Sequence, residues 1–187
     1  LGLIYHETAF NLTFIDKTRE YNGYANKSYE ILTKLANSNS TTIELMPIIQ
    51  SYRASALSLV SSETKKLSLL GKAFDIFEVA IKEYAQYSPR PEFLRGSVSE
   101  NLPFFMWKKR SFAKRDFASI IEKQEQNNDY ADFSVMSFSY WAWANQHQGK
   151  KYREKALIYL DRAIQIDSNY QAGRKKAEEL KLKFMQK

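Results

Sequence analysis

Cysteine is absent from this 187-residue chain, and glycine and proline are scarce, with six and four residues. Without cysteine the chain forms no disulfide and offers neither a thiolate zinc site nor a cysteine nucleophile. So few glycines and prolines leave few positions for tight turns, which disfavours a β-sandwich, a barrel or a doubly wound sheet. No apolar run approaches the roughly 18 residues that a membrane-spanning helix needs. The length suits one domain or one stack of small repeats, and long helices fit the composition best.

Histidine is also scarce, and the only two are His6 and His147. Neither has a second histidine at metal-ligand spacing, so each is expected to be a packed or surface side chain. The six glycines form neither a phosphate-binding loop nor a dinucleotide fingerprint, and the carboxylates are scattered along predicted solvent faces. Since no nucleophile, metal cluster or cofactor loop is visible, the sequence predicts a non-enzymatic protein with no cofactor.

The chain begins with leucine rather than methionine. Its apolar residues 1–5 are too few, and lack the preceding basic residues, to be a complete signal peptide. A processed product and a trimmed chain both fit this start. An exported, periplasmic location and a cytoplasmic one therefore both stay open.

The net charge of +7 is concentrated in the second half of the chain. Residues 1–94 contain 10 basic and 10 acidic side chains, whereas residues 95–187 contain 18 and 11. Interleaved acidic residues favour ordinary solvated helix faces, and an anionic partner is the alternative. The basic patch that would meet such a partner consists of Lys108, Lys109, Arg110, Lys114 and Arg115.

Apolar residues recur at steps of three and four within residues 152–166, which predicts a helix with one apolar face. That helix is followed by Asp167-Ser168-Asn169-Tyr170, whose residue types favour turns and helix caps. Across this helix and the one before it, the spacing reads Tyr140-x2-Trp143-Ala144-x2-His147, then Ala156-x3-Leu160-x2-Ala163, then Ser168.

The second-helix spacing occurs twice more in the chain, as Ala73-x3-Phe77-x2-Ala80 and as Ala113-x3-Phe117-x2-Ile120. Each occurrence follows a predicted helix that contains a small residue. Antiparallel helices approach closely only where side chains are small, so the pattern predicts repeated helical hairpins. The small residues expected at the crossings are Ala56, Ala73, Gly96, Ala113, Ala144 and Ala156.

This pattern resembles the tetratricopeptide repeat, a 34-residue helix-turn-helix with the consensus W-x2-L-G-x2-Y, A-x3-F and P. Residue sizes match at these positions, although most identities differ. The segments Phe93-Leu94-Arg95-Gly96 and Asn101-Leu102-Pro103-Phe104-Phe105 are also similar to a group of bacterial proteins of this superfamily. The resemblance implies an all-α fold, a right-handed α-solenoid of about four repeats with a C-terminal capping helix. The approximate units are 1–40, 41–89, 90–130 and 131–170, with the capping helix in 171–187.

Three local features depart from the standard repeat. The first unit is expected to be a diverged hairpin in which Phe10, Phe14 and Ile15 make the apolar contacts. Residues 61–64, together with the lysines that follow them, are expected to lengthen the turn of the second unit. The apolar turn 103–107 is expected to fold back as a plug on the neighbouring hairpin, with an exposed docking patch as the alternative.

In tetratricopeptide proteins the first helices of the repeats line a concave groove that binds ligands. Because successive helix residues turn by about 100°, Tyr140, Trp141 and Trp143 cannot all face one core. Trp141 is therefore expected either to pack on a neighbouring helix or to anchor a partner. Asn145 matches an Asn of the carboxylate clamp in that family, although the clamp lysines are missing. The residues projected onto the groove are Arg53, Phe93, Asn101, Trp141, Asn145 and Gln148.

These observations predict an interaction scaffold that binds a protein, a peptide or a small ligand in its groove. The alternative is recognition of nucleic acid or another polyanion by the basic half, where Trp107 and Phe112 lie beside Lys108. A small-molecule carrier outside the cytosol, with the groove closed by the 103–107 turn, is a third possibility.

Overall fold

The structure is a computed structural model that describes residues 1–15 and 23–186. Residues 16–22 of the predicted first unit, and the last residue of the predicted cap, lie outside this part. Within it the regular structure is all helical, with nine α-helices and no strand, so the predicted all-α class is confirmed. The helices are α1 (Gly2–Ile15), α2 (Tyr24–Ala36), α3 (Met46–Thr64), α4 (Leu67–Tyr84), α5 (Arg90–Glu100), α6 (Trp107–Gln126), α7 (Phe133–Gln146), α8 (Arg153–Ile166) and α9 (Arg174–Met185).

Contacts divide the chain into two compact units, Leu1–Val98 and Ser99–Lys187. In the first unit α1 packs on α2, α2 on α3 and α3 on α4, and α1 also touches α3. In the second unit α6 packs on α7, α7 on α8 and α8 on α9, and α7 also touches α9. Within α1–α4 and within α6–α9, helices adjacent in sequence therefore pack on one another, and the division between the units falls within α5.

Small side chains occupy the buried faces of these helices. All six small residues expected at helix crossings are buried. The residues of the recurring spacing are also buried, since none of the nine positions exposes any surface. Removing their apolar groups from water stabilises the fold by about 25 cal/mol per Å² of buried area. These positions are Ala73, Phe77, Ala80, Ala113, Phe117, Ile120, Ala156, Leu160 and Ala163.

Helix α3 is the central helix of the first unit and carries several buried serines. Ser51 and Ser58 donate their hydroxyl hydrogens to carbonyls four residues earlier, so these polar groups are satisfied within the helix. The small side chains leave room for the neighbouring helices. His6 of α1 bonds the Ser55 hydroxyl through Nε2 at 2.8 Å, which ties α1 to α3.

The expected apolar contacts of the first hairpin are wrong. Phe14 and Ile15 are mostly exposed, and Phe10 is partly exposed, because α1 turns the opposite face inward. That inner face consists of Gly2, His6 and Ala9. A methyl group on Gly2 would approach Leu32 of α2 at about 3.0 Å, so only a small residue permits this approach.

The expected lengthening of the turn at residues 61–64 is also wrong. Helix α3 continues through Thr64, and only two residues separate it from α4. Lys65 ends the helix with a left-handed backbone, at a φ of 60°. The additional residues are therefore taken up by a longer helix.

The predicted plug at residues 103–107 does not form. Phe104, Phe105 and Trp107 are 84%, 63% and 66% exposed. The buried residues of α6 begin further along the helix, at Ala113. The first turn of α6 and the residues before it therefore leave these rings exposed.

Candidate functional site

Helix α7 presents a half-buried stripe of side chains beside its buried face. The helix begins after Asp132, whose carboxylate accepts hydrogen bonds from the backbone N–H groups of Ser134 and Val135 at 2.9 and 3.0 Å. Phe138, Trp141 and Asn145 follow at steps of three and four, so they share one side of the helix. All three are half-buried, and Gln148 extends the stripe as an exposed residue beyond the helix end.

Trp141 is the ring that faces away from the core shared by Tyr140 and Trp143, as helical geometry requires of one of the three. Tyr140 and Trp143 are buried toward α8, where both rings lie near Tyr159, with centroids 5.1 and 4.8 Å away. Trp141 points to the other side and meets Phe138 edge to face, with ring centroids 5.0 Å apart. It is therefore the one ring of the three that keeps partial access to solvent.

Lys176 of α9 extends over this aromatic pair. Its Nζ lies 4.5 Å from the Trp141 ring centroid and 4.9 Å from that of Phe138, a cation–π arrangement. Removal of water from the ammonium lowers the pKa of Lys176, and the charges of Glu100 and Glu179 partly oppose that change. A cation is thus held in a partly dehydrated position beside two rings.

Glu100, at the end of α5, connects the polar residues of α7. Asn145 Nδ2 donates a hydrogen bond to Glu100 Oε1 at 2.7 Å, and the Gln146 side-chain amide donates to Oε2. Gln148 Nε2 donates to the Asn145 backbone carbonyl and to its Oδ1, both at 3.2 Å. We call the surface formed by Glu100, Phe138, Trp141, Asn145, Gln148 and Lys176 the α7 site.

The structure brings together only some of the predicted groove residues. Trp141, Asn145 and Gln148 belong to the α7 site. Asn101 is exposed in the turn that follows α5. Phe93, in the first unit, packs against a buried cluster that includes Phe77 and Leu94.

Arg53, also in the first unit, is engaged between α2 and α3. Its Nε donates to Thr33 Oγ1 and its Nη1 to Gln50 Oε1, each at 3.1 Å. The guanidinium also lies 5.9 Å from the Tyr29 ring centroid. These contacts make Arg53 a link between two helices.

Two residues of the α7 site carry no distinctive sequence signal. Lys176 lies in a basic run that is typical of a solvated helix, and Glu100 is one of many scattered carboxylates. Each reaches α7 only because an element distant in sequence packs beside it.

On its opposite side, α7 contributes to a second cluster of rings. His147 stacks on Trp143 at a centroid distance of 3.9 Å and meets the edge of Tyr152 at 4.8 Å. Its Nδ1 donates to the Trp143 carbonyl at 2.7 Å. Burial lowers the pKa of His147 despite that bond, and nearby lysine charges lower it further. Those lysines are Lys114, Lys155 and Lys151.

The predicted basic patch is partly engaged in structural contacts. Arg110 donates to the Leu102 carbonyl and so holds the turn before α6. Lys114 Nζ lies 5.8 Å from the Tyr152 ring centroid. Arg115 lies 4.7 Å from the Phe112 ring centroid and 3.9 Å from a carboxylate oxygen of buried Asp116. Lys108 covers Trp107 at 5.5 Å, and Lys109 is half-buried.

Ser55, His6 and Glu7 are connected in the order of a hydrolase triad, with His6 Nδ1 lying 3.1 Å from Glu7 Oε1. Ser55 is buried within α3, however, so a substrate carbonyl cannot approach its hydroxyl. The His6–Ser55 bond joins α1 to α3.

Over residues 1–15 and 23–186, no three histidine or acidic side chains are grouped closely enough to hold a metal ion. In the same residues, no helix combines the length and apolarity required to cross a bilayer. Comparisons of the chain with protein families, with curated proteins and with solved structures found no match.

Proposed function

We propose that this chain is a non-enzymatic binding module of the tetratricopeptide type, which holds an extended protein segment at the α7 site. The proposed architecture is a right-handed solenoid of about four helical hairpins, with α9 as the cap. It is supported by the pairing of α1 with α2, of α3 with α4 and of α7 with α8, and by the burial of the recurring alanine and aromatic positions.

The observation that carries the binding proposal is the contact of Trp141 with Phe138 under the Lys176 ammonium. Tryptophan dominates the energetics of many interfaces because it buries a large, rigid surface. The Asn145 amide can pair with a peptide group of the ligand, and Lys176 can pair with a carboxylate. An apolar side chain beside an acidic group is thus the ligand that these residues fit best.

The proposal predicts that Trp141→Ala weakens peptide binding while the helical content is unchanged. Peptides selected from a random display library on the unaltered chain would serve as probes, with Kd measured by fluorescence polarisation. Loss of a central aromatic anchor is expected to raise Kd about thirtyfold. Trp107→Ala is the matched control, since it removes an exposed tryptophan of the same unit. Equal affinity in both variants, or loss of helical circular dichroism in Trp141→Ala, would contradict the proposal.

A second candidate function is polyanion binding, which one observation favours. Lys114 and Lys151, from basic runs distant in sequence, both lie over the Tyr152 ring, at 5.8 and 4.6 Å from its centroid. Lys155 lies 5.2 Å from the Trp143 ring centroid nearby. The basic half of the chain would thus offer three clustered cations beside aromatic surface.

Salt dependence tests this second candidate. If the three lysines neutralise three phosphates, affinity for a single-stranded oligonucleotide should fall about twentyfold between 50 and 200 mM salt. Changing all three lysines to Gln should remove most of that slope. Binding that does not respond to salt would exclude this function.

A further inference from the structure

The turn between α5 and α6 exposes an unusual amount of aromatic surface for its length. Phe104, Phe105 and Trp107 lie within four residues, and each has well over half of its surface in contact with solvent. The Phe104 and Phe105 rings meet edge to face at 5.9 Å, so they form one continuous apolar tip. A contiguous exposed apolar patch of this kind marks a surface that binds something apolar.

The charge around this aromatic tip has a single sign. Residues 103–115 contain five basic side chains and no acidic one. Trp107 and Lys114 are seven residues apart on α6, as are Lys108 and Arg115, so each pair lies on one side of the helix. Lys108, Lys114 and Arg115 are exposed. Arg110 donates to the Leu102 carbonyl and so fixes the tip relative to the helix that carries these cations.

The arrangement of the rings favours lipid over nucleobases. Phe104 and Phe105 meet edge to face, so they form an apolar tip rather than parallel faces on which successive bases could stack. The Lys108 ammonium lies 5.5 Å from the Trp107 ring centroid and the Arg115 guanidinium 4.7 Å from that of Phe112, so cations flank this apolar surface. Insertion into a bilayer interface requires only exposed apolar area flanked by cations that can reach lipid phosphates.

We propose that the segment 103–115 docks this protein on an anionic lipid bilayer. The rings of Phe104, Phe105 and Trp107 enter the boundary between headgroups and acyl chains. Lys108, Lys114 and Arg115 remain at the level of the lipid phosphates. This segment shares no residue with the α7 site, so these two proposals can fail independently, whereas Lys114 also belongs to the second candidate surface.

The absence of cysteine makes a direct test possible, because a single introduced thiol is labelled uniquely. Phe104→Cys would carry an environment-sensitive fluorophore, with Ile158→Cys, at an exposed position on α8, as the matched control. We expect vesicles of phosphatidylcholine with phosphatidylglycerol to shift the emission of the Phe104 label to the blue. Nitroxide-labelled lipid should quench it. Equal responses of the two labels, or none, would overturn the proposal.

Substitutions on the full chain separate the apolar and the charged contributions. In vesicle co-sedimentation, Phe104→Ala and Phe105→Ala should each weaken binding about tenfold. The control is Leu182→Ala, which removes an exposed apolar side chain on α9.

For the charges, we expect about a fivefold loss for each cation removed in Lys108→Gln and Lys114→Gln. The double variant Lys175→Gln, Lys183→Gln has the same net charge and changes exposed lysines elsewhere. Equal losses in the two double variants would show that only the total charge matters and would overturn the assignment to this segment.

Two other outcomes would also overturn it. If a single-stranded oligonucleotide bound with the same dependence on Phe104 and Lys108 while vesicles did not bind, the surface would recognise nucleic acid. If light scattering showed a dimer that Phe104→Ala and Phe105→Ala dissociated, the aromatic tip would be a self-association surface.

Discussion

Glu63, in the last turn of α3, is a carboxyl group in an unfavourable environment. Burial raises the pKa of Glu63 to about 7, and its Oε2 is buried without a hydrogen-bond partner among the described residues. The ordinary value is 4.5, so between pH 4.5 and 7 the folded chain keeps a proton that the unfolded chain loses. The free energy of unfolding should therefore fall as pH rises through this window.

Glu63→Gln is expected to stabilise the protein at pH 8 and to have little effect at pH 4. Because the carboxyl is only partly shielded from water, the gain at pH 8 should be about 1 kcal/mol, or about 3 °C in Tm. Thermal unfolding at the two pH values measures it. Glu44→Gln, at an exposed position of the same unit, is the control. A shift that is the same at both pH values would contradict the pKa argument.

Single residues also show how far the sequence predicts the candidate site. Helical geometry requires one of Tyr140, Trp141 and Trp143 to leave the shared core, but it does not say which ring. The structure selects Trp141, because α8 covers the other two. Lys176 could not be predicted, since its position over Trp141 depends on how α9 packs.

Among the helices, α9 and α7 approach each other closely through their backbones, where Gly173 precedes α9. A Cβ atom on Gly173 would lie 2.5 Å from the Ser137 carbonyl oxygen of α7, and the Gly173 N–H donates to the Ser137 hydroxyl at 3.1 Å. Asp167 accepts hydrogen bonds from the backbone N–H groups of Gln171, Ala172 and Arg174 at 2.8 to 3.1 Å. Burial opposes ionisation, but these donors and the Arg174 charge hold the pKa of Asp167 below its ordinary value. The start of α9 is therefore defined by backbone contacts.

Two glycine substitutions test whether close backbone contact, and not helix propensity, determines the packing of α9. Gly173→Ala should destabilise the protein by about 3 kcal/mol, because the new methyl group meets backbone atoms of α7 that cannot move alone. Gly71→Ala, within α4, should stabilise it by about 0.8 kcal/mol, because a methyl group there meets nothing within 4 Å. Urea unfolding measures both changes. Similar effects of the same sign would show that helix propensity alone governs these positions.

Helix periodicity predicted which face of α4, α6 and α8 is buried, but it did not predict the direction of the turn before α6. The rule that large apolar residues avoid water favoured a plug at residues 103–107. The rings are nevertheless exposed, because the buried positions of α6 begin only at Ala113. The direction of this turn therefore depends on which face of α6 is buried.

At the scale of the whole molecule, the charge is distributed unequally between the units. Leu1–Val98 contains 11 basic and 10 acidic side chains, whereas Ser99–Lys187 contains 17 and 11. Both proposed surfaces for anionic partners and the α7 site lie in the second unit. The first unit is held by α3, whose small residues allow α2 and α4 to pack closely on it.

Removal of α9 tests whether the second unit unfolds independently. A chain ending at Ser168 loses the buried side chains Ala177, Leu180 and Phe184. Their burial against α8 and α7 should be worth at least about 3 kcal/mol, so hydrogen-exchange protection in α7 and α8 should fall about a hundredfold. Protection in α3 and α4 should not change. An equal loss in both units would show that the chain unfolds as one cooperative body.

The sequence by itself determined the helical class, the position of the helix predicted over residues 152–166, which is α8, and the burial of the alanine and aromatic spacing. These properties follow from periodicity and side-chain size, which residues close together in the sequence determine. Only the tertiary structure decided that Lys176 covers Trp141, that Glu100 binds Asn145, and that Phe104 and Trp107 face solvent. These contacts join side chains that are distant along the chain, or depend on what a neighbouring helix leaves uncovered, and no local pattern specifies either.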